Sequence, residues 1–225
     1  MAETEASYPA ELYVRFRAAS SRSKVRKPEG ERRLADRRPA GAAAFLDRDG
    51  VINDDADYVN APDDFKLLPG AAGAIRRLNE AGLLVVVITN QGGVALEYID
   101  IDALDAIHDR MDELLTSEGA HVDAVYAALA YPDGTVKALR KASVFRKPAA
   151  GMLLRAADDL GIDLGRSVMV GDTTTDVAAG QSAGCRTLLV ETGFGGRDRR
   201  SPATPDAIVA DLPAAVDWIL EFIAS

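Results

Sequence analysis

Two aspartates with one residue between them, Asp47 and Asp49, follow an apolar run that ends at Leu46. Side chains two apart on a straight strand share one face, and Gly50 lets the chain turn just past the strand end. Carboxylate and backbone oxygens can therefore converge here on a hard cation such as Mg²⁺. A carboxylate so placed can also attack phosphorus in line. We predict that Asp47 is this nucleophile and that Asp49 alternates as general acid and base, with Arg48 pointing away as a spacer.

A second acidic pair, Asp172 and Asp176 in GDTTTD, follows the apolar segment SVMV. Four residues make about one helical turn, so these two carboxylates would lie on the same side. We predict Asp47, the backbone carbonyl of Asp49 and Asp172 as Mg²⁺ ligands, with Asp176 in a supporting position. The alternative is ordinary helix capping, for which Thr and Asp are both well suited.

Three further residues could hold a phosphate. Lys147 precedes Pro148, which fits the first turn of a helix, and a lysine there can reach a phosphate oxygen beside the free helix amides. Thr89 and Asn90, after VVVI, offer a hydroxyl and an amide to the same group. Each residue also has a surface or capping alternative, but their order along the chain favours one phosphate site.

Apolar runs of strand length alternate with helical patterns from Gly41 onward. The predicted strands are AAAFLD, LLVVVIT, DAVYAAL, SVMVGD, CRTLLV and AIVAD, and the predicted helices cover about 71–81, 101–117, 149–160 and 175–183, with a closing helix through Trp218. This order predicts an α/β fold with a Rossmann-like, doubly wound parallel sheet and helices on both faces. Ligands bind at the carboxyl ends of such strands, where Asp47, Thr89 and Asp172 each close an apolar run.

The composition narrows the class of protein. With 225 residues and 48% hydrophobic content the chain can bury a full core. No apolar stretch approaches the roughly 18 residues of a membrane span, and the N-terminus lacks a signal-peptide pattern, so we expect no membrane partner and a cytoplasmic location. A single Cys, Cys185, excludes an intrachain disulfide. Nothing in the sequence indicates an oligomer, and a monomer is the default expectation.

The charge is unevenly distributed along the chain. Residues 1–40 carry ten Lys and Arg against six Asp and Glu, whereas residues 41–225 carry a net charge of −13. We predict a flexible basic N-terminal arm over 1–40, with ELYVRFRAA as a short helix, and a catalytic domain over 41–225. The acidic domain argues against nucleic-acid binding, although the arm could contact an anion.

Two other features lie outside the motifs. His108 and His121 fall on or near the second predicted helix, away from the strand ends, and we predict surface or half-buried positions without a catalytic or metal-binding role. The stretch FGGRDRRSPATP, from Phe194 to Pro205, is predicted to be a long polar loop. Whether it borders the site or is a solvated connection stays open.

The motifs FLDRDGVIN, DYVN, TNQGGV, FRKPAAGML and MVGDTTTDVAAG make the chain resemble the haloacid dehalogenase (HAD) superfamily of Mg²⁺-dependent phosphohydrolases over about residues 42–195. Within it, they resemble the branch of heptose bisphosphate phosphatases and histidinol-phosphatases. The resemblance implies the roles already given for Asp47, Asp49 and Asp172. It also implies Thr89 and Lys147 as phosphate ligands and places Asn90 and Arg146 on the substrate side.

The chain departs from that branch in three ways. Many relatives carry a Cys- and His-rich zinc loop before Arg-Lys-Pro, but residues 129–146 here contain neither Cys nor His, so we expect no zinc. Leu96 and Glu97 stand where those relatives often have Arg-Gly, which removes one partner for a second phosphate or a carboxylate. Thr173 stands where the heptose enzymes tend to have Lys.

The short spacers between motifs leave no room for a lid domain, so we predict a minimal cap made of short loops. The predicted reaction is hydrolysis of a small phosphorylated substrate, in first place a sugar such as D-glycero-D-manno-heptose 1,7-bisphosphate. Histidinol phosphate is the nearest alternative, followed by a nucleic-acid 3′-phosphate. A non-catalytic phosphate-binding protein is the alternative from another class.

Overall fold

Seven strands and five helices form the part of the chain that the computed structural model describes, residues 8–17, 41–54 and 59–224. The strands are β1 Leu12–Phe16, β2 Ala43–Leu46, β3 Leu84–Asn90, β4 Ala124–Ala128, β5 Val168–Gly171, β6 Arg186–Val190 and β7 Ala207–Val209. The helices are α1 Ala71–Glu80, α2 Ile101–Ser117, α3 Gly151–Leu160, α4 Thr174–Ala183 and α5 Leu212–Ala224. The six strands and five helices predicted after Gly41 are all present, which confirms the predicted fold class.

The strands form one sheet in the order β1-β4-β3-β2-β5-β6-β7. From β2 to β7 all neighbours are parallel. The chain winds from β2 outward through β3 and β4, then returns to the other side of β2 and continues through β5, β6 and β7. The direction in which successive strands are added to the sheet therefore reverses next to β2. In parallel sheets, ligands bind at such a reversal, at the carboxyl ends of the strands.

Helices cover both faces of the sheet, which explains why the strands are apolar throughout rather than alternating. On one face, Leu46 and Val87 pack with side chains of α1, α2 and α5. On the other, Phe45 and Ile88 pack with side chains of α3 and α4. The carboxyl ends of β2, β3 and β5 are thus fixed by two packed layers.

The N-terminal strand β1 corrects two predictions. ELYVRFRAA was expected to be a short helix in a flexible arm, but Leu12–Phe16 pairs antiparallel with β4 at the sheet edge. The side chains of Leu12, Val14 and Phe16 pack in one apolar cluster. Their spacing of two residues is typical of a strand and not of a helix. A domain boundary at residue 41 is therefore wrong for residues 8–17. Residues 1–7 and 18–40 lie outside the described residues, and for them the flexible arm stays a prediction.

The segment between β4 and α3 lacks regular structure and is held by polar contacts. The guanidinium of Arg140 donates to the carbonyl of Gly134 at 2.6 Å, and the backbone N–H of Thr135 donates to the carbonyl of Ala95 at 2.8 Å. Glu11, ahead of β1, forms an ion pair with Lys141. A minimal cap made of short loops stays a prediction. Among the described residues, none of the helices has the length and apolar character to span a bilayer.

Candidate active site

Asp47 lies immediately after β2, with its carboxylate fixed from both sides. Its backbone N–H donates to the carbonyl of Val170 at 2.9 Å, which ties it to β5. Its Oδ1 accepts the backbone N–H of Arg48 at 2.7 Å, and its Oδ2 lies 2.7 Å from Nζ of Lys147. These contacts fix the position of a buried carboxylate at the end of a strand, where the sequence predicts the nucleophile.

Lys147 links the predicted nucleophile to the second acidic motif. Its Nζ lies 2.6 Å from Oδ1 of Asp176 and donates to the carbonyl of Ile88 at 2.8 Å. Burial alone would lower the pKa of Lys147, but the charges of Asp176 and Asp47 raise it, so the ammonium stays protonated. The side-chain amide of Asn90 is used for positioning, because it accepts the Lys147 backbone N–H at 3.0 Å and donates to its carbonyl at 3.1 Å.

The carboxylates of Asp47, Asp172 and Asp176 approach each other closely, with one oxygen from each within 4.8 Å of the others. Burial, followed by the charge of Asp176, raises the pKa of Asp47 well above its ordinary value. A Cβ at Gly50 would clash with the carboxylate of Asp172, so the close approach of Gly50 to Asp172 requires glycine. Three buried carboxylates beside one ammonium leave an excess of negative charge, and their oxygens suit a hard divalent cation.

Asp49 has a different set of partners, and they correct the prediction for Arg48. The buried Arg48 guanidinium donates hydrogen bonds to Asp49, with Nη2 2.9 Å from each carboxylate oxygen and Nε 3.1 Å from Oδ1. Asn53 donates to the same Oδ1 at 2.9 Å. Burial alone would raise the pKa of Asp49, but the charge of Arg48 holds it below the ordinary value. The expectation of a spacer was wrong because β2 ends at Leu46 and the chain bends at Arg48, so the alternation of strand faces no longer applies.

His108 also lies elsewhere than predicted. It is fully buried on α2, and its Nε2 is 3.4 Å from Nη1 of Arg48. A guanidinium only donates, so Nε2 accepts and the ring is neutral. Burial, with the charges of Arg48 and Arg15, keeps the pKa of His108 well below its ordinary value. The helical spacing of Leu104, Met111 and the other buried residues of α2 places His108 on the buried face, a signal that sequence reasoning could have used.

Gln91 is a site residue that sequence reasoning missed. Its Nε2 donates to Oγ1 of Thr89 and to Oδ2 of Asp49, both at 2.9 Å. The Thr89 hydroxyl accepts this bond and can still donate its own hydrogen, as the predicted phosphate contact requires. Gln91 thus connects a predicted phosphate ligand to the predicted acid and base. Its position directly after Thr89 and Asn90 is the sequence signal that could have identified it as a site residue.

These side chains open on a cleft of about 260 Å³ at the carboxyl ends of the central strands. The predicted residues on its wall are Asp47, Asp49, Thr89, Asn90, Arg146, Lys147 and Asp172. Asp176 lies behind them, where it accepts the backbone N–H of Thr173 at 3.0 Å and closes the start of α4. The Arg146 guanidinium lies 4.8 Å from the centre of the Tyr131 ring, and its contact with a substrate stays a prediction. Asp57 and Tyr58 of the DYVN motif lie outside the described residues.

A family model described as HAD-hydrolase-like matches residues 144–215. The chain is 46% identical over 190 residues to the D-glycero-D-manno-heptose-1,7-bisphosphate 7-phosphatase of Thermosynechococcus vestitus, a match that covers 81% of this chain and 97% of that protein. It is 38% identical over 183 residues to the D-glycero-beta-D-manno-heptose-1,7-bisphosphate 7-phosphatase of Escherichia coli K12, covering 81% of this chain and 90% of that protein.

Solved structures agree with these relatives. The D,D-heptose 1,7-bisphosphate phosphatase of Bordetella bronchiseptica, complexed with magnesium and phosphate, superposes with a TM-score of 0.72 at 37% identity, covering 80% of this chain and 98% of that one. A putative HAD-like phosphatase from Mesorhizobium loti superposes with a TM-score of 0.76 at 32% identity, covering 98% of this chain and 96% of that one.

Proposed function

The chain belongs to the family of D-glycero-D-manno-heptose-1,7-bisphosphate 7-phosphatases among the HAD-like hydrolases, and we propose that it removes the 7-phosphate of this sugar bisphosphate with the help of Mg²⁺. The observation that carries the proposal is the pair of carboxylates after β2. Asp47 lies 2.7 Å from Lys147, while Asp49, two residues on, is held by Arg48 instead. These different partners support the proposal that Asp47 attacks phosphorus and Asp49 transfers protons.

In the first half of the reaction, an oxygen of Asp47 forms a bond to phosphorus as the bond between phosphorus and the sugar oxygen breaks. Asp49 gives a proton to that leaving oxygen. Thr89 and Lys147 bind the oxygens of the transferred group, which carry the charge that builds up. Asp49 accepts fewer hydrogen bonds when it is protonated than it accepts as a carboxylate in this structure. One of its hydrogen-bond donors must therefore move away before Asp49 can act as the acid in the first half.

In the second half, a water molecule attacks phosphorus and gives its proton to Asp49, now a carboxylate. The bond between phosphorus and Asp47 breaks, phosphate leaves and the nucleophile is regenerated. Arg48 and Asn53 keep Asp49 in place for this step, because both donate to its carboxylate. The lowered pKa of Asp49 suits an anion awaiting a proton but opposes its acid role, so the two halves make contrary demands on the residue.

The Mg²⁺ ligands would be the carboxylates of Asp47 and Asp172 and the backbone carbonyl of Asp49. When bound, the ion neutralises charge on the phosphoryl oxygens. Asp176 remains a supporting residue, because its two oxygens are engaged with Lys147 and with the first turn of α4. The crystal structure of the Bordetella relative, which contains magnesium and phosphate, supports this assignment of the metal.

Other expectations stay predictions. Residues 129–146 contain no Cys or His, and polar contacts hold this segment, so no zinc is expected there. A cytoplasmic location, a monomeric state and the lack of a nucleic-acid partner follow from the sequence composition and are proposed on that basis. The proposed substrate is a small phosphorylated sugar.

The test is a comparison of kcat/KM for four substrates: the heptose 1,7-bisphosphate, the heptose 7-phosphate, histidinol phosphate and a 3′-phosphorylated oligonucleotide. We expect the bisphosphate to be preferred by at least about tenfold, since an additional phosphate contact contributes roughly 1.4 kcal/mol or more. Phosphorus NMR should show loss of the 7-phosphate first, and EDTA should stop turnover until Mg²⁺ is restored. Equal or faster hydrolysis of histidinol phosphate would overturn the substrate assignment.

A further inference from the structure

The polar loop after β6 is fastened to the active site. The backbone N–H of Phe194 donates to Oδ2 of Asp172 at 2.7 Å, and that of Gly196 donates to the Asp172 carbonyl at 2.8 Å. Further along, the Asp198 carboxylate accepts the backbone N–H and the hydroxyl of Thr174, each at 2.8 Å. The loop therefore borders the site at Asp172 and is also tied to the start of α4, so it is not a solvated connection.

This loop brings Arg200 to the wall of the catalytic cleft. Its backbone N–H donates to Oδ2 of Asp198 at 3.3 Å, which fixes where the residue emerges from the loop. Burial would raise the pKa of Asp198, but hydrogen bonds from Thr174, with a contribution from the Arg200 charge, lower it. Asp198 is thus already committed to Thr174. Among the residues that the structure describes, none forms a hydrogen bond or an ion pair with the Arg200 guanidinium.

The deeper cations of the cleft have carboxylate partners, and Lys147 is assigned to the reactive phosphate at Asp47. Lys147 lies between Asp47 and Asp176, and Arg48 is bound to Asp49. Arg200 is instead exposed at the cleft wall. A guanidinium in that position can offer two parallel N–H donors to a phosphate without first losing a carboxylate partner.

The sheet order places Arg200 on a definite side of the nucleophile. Lys147 and Arg146 approach from the side of β3 and β4, where they contact Ile88 and Tyr131. The Arg200 loop follows β6 and is tied to α4, on the side of β5. A ligand whose reactive phosphate lies at Asp47 can therefore extend a second anionic group toward this side.

We propose that Arg200 binds the second phosphate of a sugar bisphosphate and makes the enzyme prefer bisphosphates to monophosphates. The proposal rests on the proposed function, because it assumes that a phosphorylated sugar is hydrolysed at Asp47. Arg200 is then a specificity residue at the far end of the substrate and takes no part in the bond changes at the reactive phosphate.

The experiment measures kcat/KM of the full chain for the heptose 1,7-bisphosphate and for the heptose 7-phosphate. Arg200→Ala should lower kcat/KM for the bisphosphate by about 10- to 100-fold, mostly through KM, as expected for a lost hydrogen bond to a charged group. Its kcat/KM for the monophosphate should stay within about twofold of the wild type. The matched control is Arg199→Ala, because Arg199 is the neighbouring cation of the same loop and does not line the cleft.

The outcomes separate this inference from the proposed function. A wild type with no preference for the bisphosphate overturns the proposed substrate. A wild type with that preference, kept in full by Arg200→Ala, overturns the role of Arg200 alone. Equal losses on both substrates would also overturn it, because Arg200 would then act at the reactive phosphate or through the loop. The Mg²⁺ concentration for half-maximal activity should be unchanged in Arg200→Ala, which shows that the loop still supports Asp172.

Discussion

Asp47 and Asp49 are the same residue type two positions apart, yet they lie in opposite electrostatic surroundings. Burial and the charge of Asp176 raise the pKa of Asp47, and Lys147 offsets part of that effect. Asp49 is more exposed, with 26% of its side chain accessible against 11% for Asp47. Burial would still raise the pKa of Asp49, but the charge of Arg48 lowers it. The difference teaches that the neighbouring groups, more than the residue type, set the pKa of each carboxylate.

The two surroundings are built from different parts of the fold. The Asp47 side is assembled at the carboxyl ends of parallel strands and at the start of α4. The Asp49 side depends on the turn after β2 and on α2, through the contact of His108 with Arg48. Strand β1 supports α2 in turn, because Tyr13 donates to Asp105 at 2.7 Å.

The largest expected loss of activity comes from removing the predicted nucleophile. Asp47→Asn keeps the size of the side chain but removes its nucleophilic oxygen, so kcat should fall on the order of 10⁴-fold or more. The measurement is phosphate release from the heptose bisphosphate at saturating Mg²⁺. Residual turnover at the wild-type rate would mean that another residue attacks phosphorus.

Removing the acid and base should cost less. Asp49→Asn should lower kcat by about 10²- to 10⁴-fold, the usual contribution of proton transfer. An aryl phosphate, whose leaving group needs little protonation, should still give a rapid first release of the phenol before slow turnover. Loss of that first release in Asp49→Asn would show that Asp49 is required for attack as well.

The hydrogen bonds from Arg48 to Asp49 can be weakened without a substitution at either aspartate. Arg48→Lys keeps the charge but loses the planar set of donors, so kcat should fall about tenfold for one lost charged hydrogen bond of roughly 1.5 kcal/mol. The matched control is Arg77→Lys, since Arg77 pairs with Asp217 at 2.7 Å on the exposed surface. Equal activities of the two variants would remove Arg48 from the account.

The smallest effect on activity is expected from the edge strand. Leu12→Ala should lower the free energy of unfolding by about 2–3 kcal/mol, because Leu12 is 5% exposed and packs in the core. Turnover well below the melting temperature should change little. Leu154→Ala is the control, because Leu154 is 50% exposed and should change stability by no more than about 0.5 kcal/mol in urea denaturation. Equal stabilities would mean that β1 adds nothing to the fold.

The Asp47 side could be predicted from sequence far better than the Asp49 side. Asp47, Thr89 and Asp172 each end an apolar run, and parallel strands bring such ends together. Arg48 lies in a bend, where the alternation of strand faces does not hold. The pairing of β1 with β4 joins segments more than 100 residues apart, which no local pattern reveals. Arg200 lies in a polar loop without periodicity, so only the fold brings it to the cleft.

The most direct test is to identify the residue that carries the phosphoryl group. The full chain is quenched with acid during turnover of the heptose bisphosphate, treated with borohydride, which reduces an acyl phosphate to an alcohol, and analysed by peptide mass spectrometry. The account predicts homoserine at position 47 and unchanged aspartate at position 49. Homoserine at position 49, or neither residue modified while phosphate is released, would contradict it.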